Sequence, residues 1–205
     1  MKLQCRIVAE TGTPERQVEA AEVGITAAVL KLGIPFGITA LRDAGVFPTL
    51  TTGQVDARIL ERNKPWAENA MNVWLTSRDL SIVRSNGQPM NFIYGLSAGI
   101  QGGHMIASGF RLDQEQPDNP LELATVVLHE TGHTLGLVEQ AAQRHSTAYG
   151  FEGHCSNDCT MEASNNRGGI TRATDRLVRN LATSGFCGEC LNDLRVTGAQ
   201  LVRRT

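Results

Sequence analysis

The sequence predicts a mixed α/β (α+β) fold, and two observations near its start indicate this class. Leu3, Cys5 and Ile7 alternate with Gln4, Arg6 and Val8, a pattern typical of a strand with one buried face. Apolar residues then recur at spacings of three and four from Val18 to Leu32, as they do in an amphipathic helix. A strand followed directly by a long helix favours a sheet with helices packed on it over a helical bundle.

The first helix and the later strands have recognisable boundaries. Thr13 is predicted to cap the helix, with Pro14 at its first position, and Gly33 is predicted to end it. Runs rich in apolar and β-branched residues between turn residues predict further strands at 34–41, 73–83, 91–96 and 104–112. A short helix is predicted around 54–62, and the last helix is predicted over 171–184.

A second long helix is predicted from about Pro120 to Leu137. Asn119 can cap it, proline suits its first turn, and Gly136 can end it in a left-handed conformation. Residues at helical spacing predict its buried stripe: Leu121, Ala124, Leu128, Thr131 and Leu135.

Length and composition limit the classes of function. The 205 residues contain no linker or repeat, so one domain is predicted over 1–205, with an upper part at about 1–136 and a lower part at about 137–205. A net charge of -2 and 5% aromatic residues give no basis for binding nucleic acid or an anionic membrane. No segment reads as a secretory signal or membrane span, so a cytoplasmic protein is expected, and a monomer is favoured.

The residues His129 to His133 read His-Glu-Thr-Gly-His, and Gly136 follows. Histidines four apart on a helix share a face, so both rings can reach one zinc ion, with Glu130 beside them as general base. A catalytic zinc takes three protein ligands and leaves one position for water, so a third donor must come from later in the chain. The candidates for this third ligand are Glu139, His145 and His154.

Four of the five cysteines form two close pairs, Cys155 with Cys159 and Cys187 with Cys190. In a reducing compartment such pairs are more typical of a closed tetrahedral thiolate site, which holds a structural zinc, than of disulfides. Cys5 is left over and is interpreted as a small core residue. Neither a Gly-x-Ser-x-Gly turn nor an isolated cysteine–histidine pair indicates nucleophilic catalysis.

Together these motifs resemble the archaemetzincins, zinc metallopeptidases of the metzincin clan. Members join an HExxHxxGxxH helix directly to a cysteine, then to a second cysteine, a methionine and a distant CxxC. The chain matches this order at His129, Glu130, His133, Gly136, His154, Cys155, Cys159, Met161, Cys187 and Cys190. Segments 75–80, 91–95 and 108–112 look like the strand motifs of the family, and an insertion at 138–152 precedes the third histidine.

The resemblance implies a metzincin-like twisted mixed sheet with a long active-site helix, a backing helix and a zinc-stapled C-terminal part. It implies His154 as the third ligand of the catalytic zinc, with Glu139 as the alternative. Met161 would lie in the turn beneath that zinc. The cysteines at 155, 159, 187 and 190 would bind a structural zinc, which makes two Zn²⁺ ions per chain.

The implied activity is hydrolysis of a peptide bond in a peptide or protein substrate by zinc-activated water, with Glu130 as general base. Two other hypotheses stay open. The first is a non-catalytic zinc-binding interaction module, and the second is a zinc amidohydrolase that acts on a non-peptide substrate. Endopeptidase and aminopeptidase action are equally compatible with the sequence.

Overall fold

The computed structural model describes residues 2–50, 52–57, 70–83, 89–98, 103–115, 119–137, 145–146, 154–164 and 166–203. Two predictions concern residues that lie wholly or mostly outside these ranges. Glu139 and all of the 138–152 insertion except 145–146 lie outside the described residues, as do residues 58–62 of the predicted short helix. Residues 55–56 of that helix are a strand in the structure, so its predicted start is wrong.

The described chain contains ten strands, five α-helices and a short 3-10 helix at Leu30–Leu32. The strands are β1 (Leu3–Ala9), β2 (Phe36–Leu41), β3 (Val55–Asp56), β4 (Ala70–Thr76), β5 (Leu80–Val83), β6 (Pro89–Ile93), β7 (Gly95–Ala98), β8 (His104–Ser108), β9 (His145–Ser146) and β10 (His154–Cys155). The helices are α1 (Glu15–Val29), α2 (Phe110–Glu115), α3 (Pro120–Thr134), α4 (Arg167–Arg179) and α5 (Gly188–Arg203).

A five-stranded sheet with the order β2-β1-β4-β8-β7 forms the centre of the fold. Its first four strands are parallel, and β7 runs antiparallel to β8 at the edge. A three-stranded sheet, β3-β5-β6, and a two-stranded sheet, β9-β10, accompany it. This mixed sheet with several helices confirms the predicted fold class.

The helices α1 and α3 pack against each other and on one face of the five-stranded sheet. Gly24 permits their close approach, because a Cβ atom there would collide with the main chain of α3 at Ala124 and Leu128. On the opposite face, Phe47 and Trp74 meet edge to face with ring centroids 5.3 Å apart, beside a second apolar cluster. None of the helices in the described part of the chain combines the length and apolar character that crossing a membrane requires.

Three predicted strands are divided in the structure. The prediction at 73–83 is wrong as one strand, because a turn at 77–79 separates β4 from β5, and the run at 91–96 divides between β6 and β7. Polar contacts hold the first turn, since Arg78 pairs with Glu10 and Arg111 pairs with Asp79. The run at 104–112 contains a strand and a helix, because the Ser108 hydroxyl accepts a hydrogen bond from the Phe110 amide at 3.1 Å and begins α2.

Some helix details also differ from the predictions. Thr13 does not cap α1; its hydroxyl donates to the Leu75 carbonyl at 3.4 Å, and Pro14 holds the cap position. Leu121 is 41% exposed, so it is not part of the buried stripe of α3. The predicted last helix begins earlier than expected, because the Asn166 side chain caps α4 by accepting from the Gly169 amide at 3.0 Å, and α5 follows it.

Candidate metal centre

The helix α3 carries three chemically active side chains, His129, Glu130 and His133, in its last two turns. Its predicted start is confirmed, since the Asn119 side chain accepts a hydrogen bond from the Leu121 amide at 3.2 Å. The helix ends at Thr134, three residues before its predicted end. Gly136 follows with φ +82°, the left-handed conformation that reverses the chain after a helix.

Three imidazoles converge beside the C-terminal part of α3. The Nε2 atoms of His129 and His133 are 3.1 Å apart, and His154 brings a ring nitrogen so that the three donor atoms lie within 4.8 Å of one another. Three nitrogens bound tetrahedrally to one zinc ion would be about 3.3 Å apart, given zinc–nitrogen bonds of about 2.05 Å. The donor atoms therefore fit one zinc ion.

The hydrogen bonding of His129 leaves one nitrogen available for a metal. Its Nδ1 lies 2.7 Å from the carbonyl oxygen of Thr160, and because a carbonyl can only accept, Nδ1 carries the hydrogen. The lone pair is then on Nε2, which faces the other rings. Metal-bound histidines characteristically donate from their second nitrogen in this way.

Burial favours the neutral form of His129 and His133, which is the form that binds metals. Burial and the neighbouring His154 lower the pKa of His129 to about 4, against the Thr160 hydrogen bond, which raises it. Burial also lowers the pKa of His133, with further contributions from His129 and His154. At neutral pH His129 and His133 therefore each keep one unprotonated ring nitrogen that can bind a cation.

The carboxylate of Glu130 is buried next to the edge strand β7. Burial raises the pKa of Glu130 to about 8, against a hydrogen bond with Ser97 that lowers it. Gly95 lies against the same side chain, because a Cβ atom there would press on Cγ of Glu130 and on Val126. The strand β7 therefore positions the carboxylate beside the histidines.

Met161 lies beneath the turn of α3 that separates the two histidines. The side chain is fully buried, and a Cβ atom on Gly132 would overlap its sulfur atom and methyl group. The main chain of Met161 is tied to β10, since its carbonyl accepts from the Cys155 amide at 2.8 Å. Its place is that of a packing residue next to the histidine cluster.

The four paired cysteines meet in a second cluster, which we call the cysteine cluster: Cys155, Cys159, Cys187 and Cys190. The Sγ atoms of Cys155 and Cys187 are 3.9 Å apart, and those of Cys159 and Cys190 are 3.7 Å apart. Four sulfurs around one zinc ion would be about 3.8 Å apart, given zinc–sulfur bonds of about 2.3 Å, whereas a disulfide bond is about 2.05 Å long. The spacing therefore fits a tetrahedral thiolate site.

Hydrogen bonds favour the thiolate form of Cys159, whereas burial raises the pKa of Cys155 to about 11. A hydrogen bond from the Cys190 thiol lowers the pKa of Cys159 to about 6, opposed by burial and supported by the amides of Cys187 and Met161. Those two amides lie 3.3 and 3.5 Å from the Cys159 sulfur. The two amides stabilise the thiolate of Cys159, which is the form that binds a cation.

The structure brings the predicted donors together in two groups, one of three histidines and one of four cysteines. We call the first group, His129, His133 and His154, the histidine cluster. Of the other candidates for the third ligand, Glu139 lies outside the described residues, and the main chain of His145 pairs in β9 opposite Cys155. Sequence reasoning missed Ser97 and the Thr160 carbonyl. Neither carries a residue-type signal, because one is an ordinary strand serine and the other acts through its main chain.

Comparison with the sequence profiles of protein families gives no match, and neither does comparison with curated protein sequences. Solved structures do match. The crystal structure of an archaemetzincin from Methanopyrus kandleri superposes with a TM-score of 0.66 at 22% identity, covering 96% of this chain and 95% of that chain. A zinc-dependent peptidase from Methanocorpusculum labreanum gives a TM-score of 0.57 at 20% identity, covering 93% and 99%. This chain therefore has the archaemetzincin fold over nearly its whole length, as its motifs predicted.

Proposed function

We propose that the protein is a zinc-dependent peptidase in which His129, His133 and His154 hold the metal and Glu130 is the general base. The observation that carries the proposal is the convergence of three imidazoles beside one buried glutamate side chain. The shared fold supports it, because the two solved structures described above are an archaemetzincin and a zinc-dependent peptidase.

The residues of the chain have separable tasks in this reaction. A zinc ion held by the three imidazoles would polarise the scissile carbonyl and lower the pKa of a water molecule toward 7. Glu130 takes a proton from the attacking water and passes it to the leaving amine. Burial raises the pKa of Glu130 and so makes its carboxylate a stronger base, and the positive charge of a bound zinc ion would favour the ionised form that accepts the proton.

A second zinc ion is proposed for the cysteine cluster, where four sulfurs leave no position open for water. Such closed thiolate sites are structural. The cluster joins the segment after β10 to the start of α5, which brings together residues about 30 positions apart. We therefore propose two zinc ions per chain, one catalytic and one structural.

The remaining expectations belong to the same proposal. One apolar core cluster extends from Leu3 to Leu194 among the described residues, which supports a single domain over 1–205. Four cysteines arranged for a metal support a reducing compartment, so the cytoplasm stays the proposed location. Peptides or proteins are the proposed substrates, nucleic acid and membranes are not expected partners, and a monomer is favoured.

Cleavage of a peptide library by the zinc-loaded protein tests the proposal. Glu130→Gln should keep both zinc ions and lose at least about 100-fold in turnover, because the amide cannot accept the proton. Glu19→Gln, which changes an exposed carboxylate on α1, is the matched control and should cleave normally. Equal cleavage by the Glu130 variant would remove its assigned role. Two bound zinc ions without any cleavage would favour the interaction module or a non-peptide substrate.

A further inference from the structure

We propose that Thr160 and Ser184 are positioning residues for the histidine cluster, which they orient through a chain of three hydrogen bonds that begins on α1. Neither residue belongs to the donor set itself. The chain of bonds matters only if the three imidazoles bind a metal, so the inference rests on the proposed function.

The chain of hydrogen bonds is continuous from α1 to the ring of His129. The Ser184 hydroxyl donates to the Ala27 carbonyl at 2.9 Å, and the Thr160 hydroxyl donates to the Ser184 carbonyl at 3.0 Å. His129 Nδ1–H then donates to the Thr160 carbonyl at 2.7 Å. Three hydrogen bonds therefore connect the main chain of α1 to His129, a proposed metal ligand.

Both positioning residues are buried. Thr160 is 1% exposed and Ser184 is 2% exposed, so water cannot replace a hydrogen bond that either of them loses. The amide of Thr160 also donates to the Gly185 carbonyl at 3.0 Å. The amide, hydroxyl and carbonyl of Thr160 are therefore all used, and its carbonyl oxygen has one position relative to α3.

The turn that holds Thr160 has an uncommon backbone conformation. Ser184 has φ +54° and Gly185 has φ +70°, and a non-glycine residue with positive φ persists only where its surroundings impose it. A Cβ atom on Gly185 would overlap the Thr160 hydroxyl oxygen, so the glycine permits the close approach of the threonine. The Ser184 hydroxyl connects this turn to α1 by donating to the Ala27 carbonyl.

The orientation of the His129 ring depends on this arrangement. The partner of the second ring nitrogen sets the tautomer and the direction of the nitrogen that binds metal, and loss of such partners typically weakens metal binding by about 10- to 100-fold. Cys159 precedes Thr160, so the cysteine cluster could also hold the carbonyl. Variants that leave all four cysteines intact separate these two influences.

Cobalt(II) binding measured against a competing chelator tests the proposal. The cysteine cluster is followed by its thiolate-to-cobalt absorption, and the histidine cluster by its ligand-field bands. Thr160→Val keeps the shape of the side chain and removes the hydroxyl, so cobalt should bind the histidine cluster about tenfold more weakly. Binding at the cysteine cluster should not change.

Two control variants make the result specific. Thr160→Ser keeps the hydroxyl and should restore wild-type binding at the histidine cluster. Thr174→Val removes another buried hydroxyl, which donates at 2.9 Å to Thr125, one helical turn before His129 and outside the hydrogen-bond chain to its ring, and should leave both cobalt affinities unchanged. The Nδ1–H proton of His129, followed by NMR, should exchange with solvent faster in Thr160→Val than in either control.

Equal cobalt affinity of the histidine cluster in wild type and Thr160→Val overturns the inference. If Thr160→Val does not fold, Ser184→Gly decides, because glycine suits the positive φ while the anchor on Ala27 is lost. Weaker binding at the histidine cluster then supports the inference, and unchanged binding overturns it. A wild-type protein whose histidine cluster binds no cobalt would instead contradict the proposed function.

Discussion

His154 and Cys155 are adjacent in the chain, yet their side chains belong to two different clusters of donor atoms. His154 completes the three imidazoles, and Cys155 is one of the four thiols. Successive residues of a strand point to opposite sides, and both residues lie in β10, so one short strand serves both clusters. A change that displaces the cysteine cluster should therefore also move His154, a proposed ligand of the catalytic zinc.

Cys187→Ser is expected to affect both metal clusters. The variant removes one thiol of the cysteine cluster from the side opposite β10, so the structural zinc should be lost. Loss of a metal is among the changes that destabilise a protein by more than about 4 kcal/mol. The histidine cluster should also bind zinc more weakly, because His154 is no longer anchored. Zinc content and urea unfolding measure the two effects.

Cys5→Ala is the matched control for this variant, because Cys5 is a fully buried cysteine in β1 outside the cluster. It should keep both zinc ions and lose about 1 kcal/mol of stability. If Cys187→Ser retained full zinc at the histidine cluster, the two clusters would be independent of each other.

Gly132→Ala is expected to destabilise the protein although alanine is the better helix former. Alanine is favoured over glycine by about 1 kcal/mol inside a helix, but here its methyl group would overlap the sulfur of Met161. We expect a net loss of about 1–3 kcal/mol in the free energy of unfolding, as in other overpacked cores. Urea unfolding measures this change.

Gly168→Ala provides the comparison for the helix preference alone. Its added methyl group would make only ordinary contacts in α4. The variant should be neutral or more stable than wild type by up to about 1 kcal/mol. A Gly132→Ala protein that gains stability by the same amount would contradict the close packing of Met161 under α3.

Glu10 is expected to make folding stability depend on pH in the acid range. Burial alone would raise the pKa of Glu10, but hydrogen bonds from Arg78, Thr76 and the Phe47 amide outweigh it and lower the pKa below its usual value. A lowered pKa stabilises the folded state above the unfolded-state pKa of about 4.3, and this contribution is lost as the pH falls through the lower folded-state value.

Glu10→Gln should therefore lose about 2–3 kcal/mol at pH 7, because Arg78 is left without its charge partner. The difference between variant and wild type should shrink below about pH 4, where the wild-type carboxylate takes up a proton. Urea unfolding at pH 7 and at pH 3 measures the difference in the free energy of unfolding. Glu19→Gln, which changes an exposed carboxylate, is the control. A difference that stays constant from pH 7 to pH 3 would argue against a charged Glu10.

Gly95→Ala is expected to slow peptide cleavage without loss of metal. The added methyl group would push Cγ of Glu130 away from its place beside β7. Because displacement of a catalytic group by about 1 Å can reduce the rate by about 100-fold, we expect at least a tenfold fall in turnover. Zinc content should stay at the wild-type value. Unimpaired turnover would show that the carboxylate is not held by β7.

Much of the candidate site could be predicted because its signals are local. The Asn119 cap, the terminal glycine at 136 and the histidines four apart all depend on spacing within one helix. The cysteine cluster could be predicted equally well, since two close pairs of cysteines are typical of a zinc site with four thiolate ligands. For these residues the type of side chain and its spacing are enough to predict a metal-binding role.

The divided strands were predicted as single strands, because a short polar run does not by itself distinguish a turn from an exposed part of one strand. Four consecutive polar residues, 76–79, interrupt the apolar residues between Val73 and Val83, and the turn there is held by ion pairs with Glu10 and Arg111, which lie far away in sequence. The helix α5 was missed, because the helix at 171–184 was predicted to be the last one and the residues after Gly185 were assigned no helix. The contact of His129 with a main-chain carbonyl has no sequence signature at all.

Anomalous X-ray diffraction at the zinc absorption edge, from crystals of zinc-loaded protein, tests the central claim most directly. We expect one peak about 2.0–2.1 Å from a ring nitrogen of each of His129, His133 and His154, and a second peak about 2.3 Å from the four sulfurs of the cysteine cluster. A map with zinc among the sulfurs and none between the imidazoles would contradict a catalytic metal centre in this protein.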